Sequence, residues 1–193
     1  IFDLGDDLLA TLVEAGTAQR SVFRVGAVST LSRNFQLSFL RPLLDRADVV
    51  VVIRSGRLGP LLQALEAHQL DVVLANTLPP RDAASPWLAH VIDDQPVSLI
   101  GTPGRVAGRA DLAALVTDNA LVAPTPDSSI RADFDALMDR LGLRPRLAAE
   151  VDDMAMLRLL ARDDMGLAVL PPIVVQDELD SGALVEALRL PDL

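Results

Sequence analysis

The segment DVVVVIRSG, residues 48–56, joins five consecutive aliphatic side chains to a turn dipeptide, which predicts a strand that is buried on both faces. An alternating β-branched segment, 22–28, precedes it, and another apolar strand is predicted at 71–75. Apolar residues at helical spacing fill the two intervals between these strands, 31–44 and 58–65. Apolar strands that alternate with amphipathic helices predict an α/β unit with a parallel sheet.

The second half of the chain shows the same alternation. Strands are predicted at 120–123, 146–151 and 167–170, and a helix that stops at Gly142 separates the first two. A helix capped by Asp152 is predicted to follow, and a final helix and strand are expected at 174–179 and 184–188. The sequence therefore predicts a second α/β unit.

Composition excludes several kinds of chemistry. The chain has 193 residues and no cysteine, which excludes disulfides, thiolate metal sites and a cysteine nucleophile. All 17 basic residues are arginine, so a lysine Schiff base and a phosphate-binding loop are also excluded. With 27 acidic residues the net charge is −10, which disfavours a DNA-binding surface within this chain.

The amino-terminal residues resemble neither a signal peptide nor a natural start. Leucines 4, 8, 9 and 12 recur at helical spacing, which predicts an amphipathic helix over 1–17. We expect this helix to continue a segment that lies upstream of Ile1. No apolar run is long enough to span a membrane.

Polar side chains follow the predicted strands at their carboxyl ends, where open α/β sheets bind ligands. Hydroxyl groups and helix-start amides at this edge suit an anion or a carboxylate. Five of these polar residues have a simpler alternative role as helix caps or turn residues, namely Ser29, Thr30, Ser55, Asp127 and Ser128. The candidate effector-binding residues are Ser29, Thr30, Arg54, Ser55, Asn76, Thr77, Thr125, Asp127 and Ser128.

Other charged residues have mainly structural interpretations. Arg131 could supply positive charge beside the second group of candidates. Asp152 and Asp153 could bind a cation, but a helix cap next to a solvated aspartate is the simpler interpretation, and no metal site is predicted. Pro42 lies inside a helical pattern and predicts a kink or a helix in two pieces.

Four segments in this order carry a resemblance to a known family. They are FLRPLL at 39–44, RSG at 54–56, LQAL before LDVVL at 62–74, and MGLAVLP at 165–171. Together they resemble the effector-binding domain of LysR-type transcriptional regulators over nearly the whole chain. Residues 23–27 and 150–155 are most similar to regulators of sodium/proton antiporter genes.

The resemblance implies a type 2 periplasmic-binding-protein fold, in which two Rossmann-like lobes are joined by two crossover strands. It implies lobe I at 18–98, lobe II at 99–170, a return to lobe I at 171–193, and a linker helix ending in 1–17. A small effector would bind between the lobes, and Ser29, Ser55, Asn76 and Asp127 match effector-contacting positions of the family. Asn76 replaces an arginine of some aromatic-acid sensors, and Arg131 could take over that charge.

The resemblance further implies a cytoplasmic, non-enzymatic domain without a cofactor that forms homodimers or homotetramers. DNA would be bound only through an amino-terminal helix-turn-helix domain. Outer leucines of 58–65 are candidates for the subunit interface. The effector stays open between a small organic acid, an inorganic anion, and sodium together with pH.

Two other functions are compatible with the same fold. One is an extracytoplasmic solute-binding protein, for which this chain is short. The other is an enzyme with a serine nucleophile and His68 or His90 as its base. Neither histidine is expected beside a strand end, which disfavours the enzyme.

Overall fold

The computed structural model describes residues 20–79, 87–108 and 111–191. The chain divides into two compact units. Unit 1 comprises Ile1–Leu31 and Gln36–Asp94, and unit 2 comprises Ser32–Phe35 and Gln95–Leu193. The predicted helix over 1–17 lies outside the described residues.

Unit 1 contains a parallel three-stranded sheet with the order β2-β1-β3. β1 is the central, buried strand, because it pairs with both β2 and β3. It corresponds to the predicted strand at 22–28. The prediction of a parallel sheet with intervening helices is confirmed. The elements are β1 (Ser21–Val28), α1 (Arg33–Leu44), β2 (Val49–Gly56), α2 (Leu58–Glu66) and β3 (Val72–Leu74).

The central strand β1 is covered on both faces, whereas β2, which the sequence predicts to be buried on both faces, is an edge strand with Val50, Val52 and Ile53 exposed. Phe23, Val25 and Ala27 share one buried cluster with Leu40 of α1, while Val28 packs on the other face with Leu61 of α2. A Cβ atom on Gly26 would lie 2.7 Å from Leu70 Cδ1 and 3.1 Å from Leu61 Cδ2. The missing side chain at Gly26 therefore lets α2 and the segment after it approach β1 closely.

Unit 2 contains a mixed five-stranded sheet with the order β6-β5-β7-β4-β8. β5 is parallel to β6 and β7, whereas β4 is antiparallel to β7 and β8. The elements are β4 (Ser98–Gly101), α3 (Pro103–Val106), α4 (Leu112–Asp118), β5 (Ala120–Pro124), α5 (Ser129–Leu141), β6 (Arg146–Val151), α6 (Met154–Arg162), β7 (Leu167–Leu170), a 3-10 helix (Pro172–Val175), α7 (Gln176–Ser181) and β8 (Val185–Arg189).

Unit 2 buries the larger core. All five residues of β5 and all four of β7 are buried. Phe134 of α5 packs in the cluster on one face, and Leu157 of α6 packs in the cluster on the other. This two-sided burial explains why β5 and β7 are almost entirely apolar.

The return of residues 171–193 to lobe I is implied by the resemblance and stays a prediction. Within the described residues, β8 forms an antiparallel ladder with β4, from Ser98↔Arg189 to Gly101↔Val185, so this strand extends the unit 2 sheet. The use of the two units as functional lobes stays a prediction.

Three local expectations also need correction. α1 begins at Arg33, and Ser32, rather than Ser29 or Thr30, accepts a hydrogen bond at its start, from the Phe35 amide at 3.3 Å. α1 is a single helix with Pro42 in its last turn, so the alternative of a helix in two pieces is wrong, and the kink stays a prediction. Asp153, not Asp152, caps α6, because its Oδ1 accepts hydrogen bonds from the amides of Ala155 and Met156.

No helix in the described part of the chain is long and apolar enough to cross a membrane.

Candidate functional site

The carboxyl edge of the unit 1 sheet brings together residues from all three strands. The register pairs Val28 with Gly56, so Ser29 follows β1 where β2 ends, and the Ser29 amide donates to the Gly56 carbonyl at 3.1 Å. Thr30 Oγ1 donates to Asn76 Oδ1 at 3.4 Å, which joins the segments that follow β1 and β3. The structure thus places Ser29, Thr30 and Asn76 side by side, with Thr77 exposed next to Asn76.

Arg54 and Ser55 lie at the end of β2 but on opposite faces. Side chains alternate along a strand, and Ser55 pairs with Ala27 whereas Arg54 pairs with Gly26. Both residues are exposed. Their side chains therefore leave the strand on opposite faces of the sheet.

The carboxyl edge of unit 2 is formed by the loop 125–128 between β5 and α5, which we call the effector loop. The Thr125 amide donates to the Val151 carbonyl at the end of β6, at 3.0 Å, and the Ser128 amide donates to the Thr125 carbonyl at 3.0 Å. Thr125 Oγ1 donates to Asp127 Oδ1 at 2.6 Å. These bonds hold the three predicted residues Thr125, Asp127 and Ser128 in one compact turn.

Ser128 occupies the cap position of α5 without acting as a side-chain cap. Its backbone is extended, and its side chain makes no capping hydrogen bond. The residue is 8% exposed, and Oγ has no hydrogen-bond partner among the described residues. A buried hydroxyl at the start of a 13-residue helix, where first-turn amides lack intrahelical partners, can receive an anion.

Arg131 does not offer a free positive charge beside this hydroxyl. Arg131 is 9% exposed, and its Nε donates to both carboxylate oxygens of Asp135 at 2.8 Å. Its Nη1 donates to the Pro124 carbonyl at 3.1 Å and to Glu150 Oε1. Burial disfavours the charged guanidinium, but hydrogen bonds to Glu150 and Asp135 outweigh it and raise the pKa of Arg131.

Sequence reasoning did not identify the pairing of Arg131 with Glu150. Glu150 is an acidic residue in β6, whose side chains alternate between exposed and partly buried positions. An arginine in the first turn of a helix is itself unusual, because the helix dipole favours acidic residues there. The arginine at the helix start and the glutamate in β6 could each have been noticed in the sequence. Their pairing could not, because the two residues are 19 positions apart.

The nine predicted residues are divided between the units, with six on unit 1 and three on unit 2. Among the described residues, no group of three or more His, Asp or Glu side chains could hold a metal ion. The two edges offer hydroxyls and amides, and unit 1 adds the exposed Arg54, which suit the binding of a polar ligand.

Solved structures of regulatory domains have a similar fold. The apo regulatory domain of HypT from Salmonella typhimurium is 14% identical, with a TM-score of 0.65, over 90% of this chain and 82% of that one. Its bromide-bound form is also 14% identical, over 89% and 81%, with a TM-score of 0.63. The effector domain of AmpR from Pseudomonas aeruginosa is 18% identical, over 87% and 79%, with a TM-score of 0.62.

The chain also matches part of a longer regulator. The chain covers 64% of a LysR family transcriptional regulator, which is 18% identical over 96% of this chain with a TM-score of 0.63. No curated protein matches the chain. The similarity to these structures supports the type 2 periplasmic-binding-like α/β fold.

The family model for the LysR substrate binding domain matches residues 16–193. This match does not favour the solute-binding alternative. The chain therefore belongs to the LysR substrate-binding-domain family and is a ligand-sensing regulatory domain of the LysR-type transcriptional regulators.

Proposed function

We propose that this domain senses a small effector with an anionic group, and that the predicted residues at the carboxyl edge of each unit are its candidate contacts. The observation that carries the proposal is the buried, unpartnered Oγ of Ser128 at the start of α5. Leaving such a hydroxyl without a partner costs about 1–3 kcal/mol, and an effector that accepts its hydrogen bond removes that cost. The contacting residues are Ser29, Thr30, Arg54, Ser55, Asn76, Thr77, Thr125, Asp127 and Ser128.

The edge of unit 1 supplies positive charge. Arg54 lies two residues before the end of β2, and Arg57 precedes α2; both are exposed. Their charges favour an anion over sodium. The bromide-bound form of the HypT domain, which has the same fold, also supports a small anion. The similarity to regulators of sodium/proton antiporter genes stays a prediction.

The whole regulator would convert effector binding into a change in DNA binding. A ligand shifts a conformational equilibrium only by its difference in affinity for the two states, so the effector must contact the units differently in each state. We propose that the chain acts in the cytoplasm, without catalysis or cofactor, and that DNA is bound through an amino-terminal helix-turn-helix domain.

Self-association is proposed through β2 rather than α2. The α2 leucines offer little exposed surface, since Leu61 is buried and Leu58, Leu62 and Leu65 are half-buried. β2 is an edge strand on which Val50, Val52 and Ile53 are 39%, 37% and 46% exposed. Ile53→Arg is expected to give monomers in sedimentation velocity, and a dimer of unchanged size would exclude β2.

The test of the effector proposal is calorimetric titration of the 193-residue chain with sodium bromide, acetate and benzoate at constant ionic strength. Ser128→Ala removes the buried hydroxyl, and Ser129→Ala is the matched control because that neighbouring serine is exposed. Saturable binding of at least one anion, weakened about tenfold by Ser128→Ala and unchanged by Ser129→Ala, is expected. Binding of none of the three anions, or equal binding by both variants, contradicts the proposal.

A further inference from the structure

Arg131 lies where three segments of unit 2 meet. Its guanidinium hydrogen bonds the last carbonyl of β5 at Pro124, the carboxylate of Glu150 in β6, and Asp135 one turn further along α5. The side chain is only 11% exposed, whereas those of Asp135 and Glu150 are 47% and 41% exposed. One buried cation thus links three elements that surround the effector loop.

The contacts of Arg131 lie directly next to the effector loop. Pro124 precedes Thr125, and Glu150 precedes Val151, whose carbonyl accepts the hydrogen bond from the Thr125 amide. The residue that precedes the loop is therefore held by the guanidinium, and the first residue of the loop is held by the backbone of β6. A change at Arg131 would alter the position of Ser128 without removing any group from the loop.

We infer that Arg131 is a positioning residue for the effector loop and that Glu150 reduces the anion affinity of this edge; the inference rests on the proposed function. Two carboxylates surround one guanidinium, so the group carries net negative charge. Arg131 therefore does not bind the effector itself. Its planar fork places donors toward three partners at once, which a lysine ammonium cannot reproduce in the same geometry.

The positioning role is tested by hydrogen exchange on the ligand-free 193-residue chain. Arg131→Lys keeps the charge but loses the fork, so amides of residues 125–131 are expected to exchange about tenfold faster or more. Arg144→Lys is the matched control, because Arg144 forms an exposed pair with Asp139 at the other end of α5. Equal exchange of residues 125–131 in the two variants would overturn the positioning role.

The electrostatic role is tested by calorimetric titration with bromide. Glu150→Gln keeps an oxygen that accepts from Arg131 but removes the negative charge, and a two- to fivefold rise in bromide affinity, roughly, is expected. Asp139→Asn also removes one negative charge, but Asp139 lies about 16 Å from Ser128 along α5. This variant is expected to leave the bromide affinity unchanged. Equal effects of the two substitutions, or a fall with Glu150→Gln, would overturn this role.

The two experiments separate this inference from the proposed function. If the wild-type chain binds no bromide, acetate or benzoate, the anionic effector and the role of Glu150 both fail, while hydrogen exchange still decides the role of Arg131. If Arg131→Lys does not fold, Asp135→Asn takes its place in the exchange experiment, because it removes one of the carboxylates that hold the guanidinium. Unchanged exchange in residues 125–131 of that variant would then count against the positioning role.

Discussion

The two carboxyl edges are built differently although both end parallel strands. In unit 1, the edge residues are joined by a backbone hydrogen bond from Ser29 to Gly56 at 3.1 Å and by a long side-chain hydrogen bond from Thr30 to Asn76 at 3.4 Å, and Asn76 and Thr77 are exposed. In unit 2, backbone and side-chain bonds fix the effector loop, and the buried Arg131 lies beneath it. The difference indicates that unit 1 presents an adaptable polar surface and unit 2 a preformed one.

The largest effect is expected from weakening the support of the unit 2 edge. Phe134 of α5 is fully buried, so Phe134→Ala leaves a cavity under the helix that carries Ser128 and destabilises the chain by about 3–5 kcal/mol. Urea unfolding measures this loss. Leu141→Ala is the control on the same helix, because Leu141 is 50% exposed and its truncation should change stability only slightly. Equal losses would mean that α5 is not anchored as described.

A smaller effect is expected at the cap of α6, which follows β6 at the same edge. Asp153→Ala removes the acceptor for the amides of Ala155 and Met156 and should cost about 1 kcal/mol of stability. Asp152→Ala is the adjacent control and should cost much less, because the structure gives Asp152 no capping role. A larger loss of stability for Asp152→Ala than for Asp153→Ala in chemical denaturation would indicate that Asp152 is the cap, as the sequence predicted.

A pH-dependent contribution is expected at the opposite end of the unit 2 sheet. Hydrogen bonds from Thr102 and Arg105 lower the pKa of Asp164 below its ordinary value of 3.8. Its stabilisation is therefore complete above that value and is lost as the pH falls through the folded-state pKa. The stability difference between the wild type and Asp164→Asn, followed by thermal unfolding, should shrink below about pH 4. A stability difference that grows as the pH falls would contradict the lowered pKa of Asp164.

The smallest effect is expected at the unit 1 edge. Thr30→Val removes the 3.4 Å bond to Asn76 at an exposed position and should change the unfolding free energy by less than about 0.5 kcal/mol. A Thr125→Val substitution removes the 2.6 Å bond inside the effector loop and should cost more. A larger loss at Thr30 than at Thr125 would remove the contrast between the two edges.

The sequence predicted the parts of the molecule that depend on local pattern. The apolar runs at 49–53 and 167–170 became strands, and Gly142 ends α5 in the left-handed conformation that a glycine readily adopts. The hydroxyl-bearing residues after β1 and β5 do lie at carboxyl edges. Periodicity and strand-end chemistry were sufficient for these features because each depends on only a few neighbouring residues.

The features that the sequence did not predict depend on pairing between distant segments. The position of β8 follows from its ladder with β4, more than 80 residues earlier, which no local pattern encodes. The choice of Asp153 over Asp152 depends on where α6 begins, and boundaries of elements are poorly specified by periodicity. The role of Arg131 likewise depends on a glutamate in another strand.

The most direct test of the central claim, that an anion binds at the preformed edge, is an NMR titration of the ¹⁵N-labelled wild-type and Ser128→Ala chains with sodium bromide, acetate and benzoate at equal ionic strength. The account predicts saturable shifts of the Ser128–Arg131 amides with at least one anion, at about tenfold higher concentration in Ser128→Ala. Shifts confined to other regions, or identical in the Ser128→Ala variant, would contradict it.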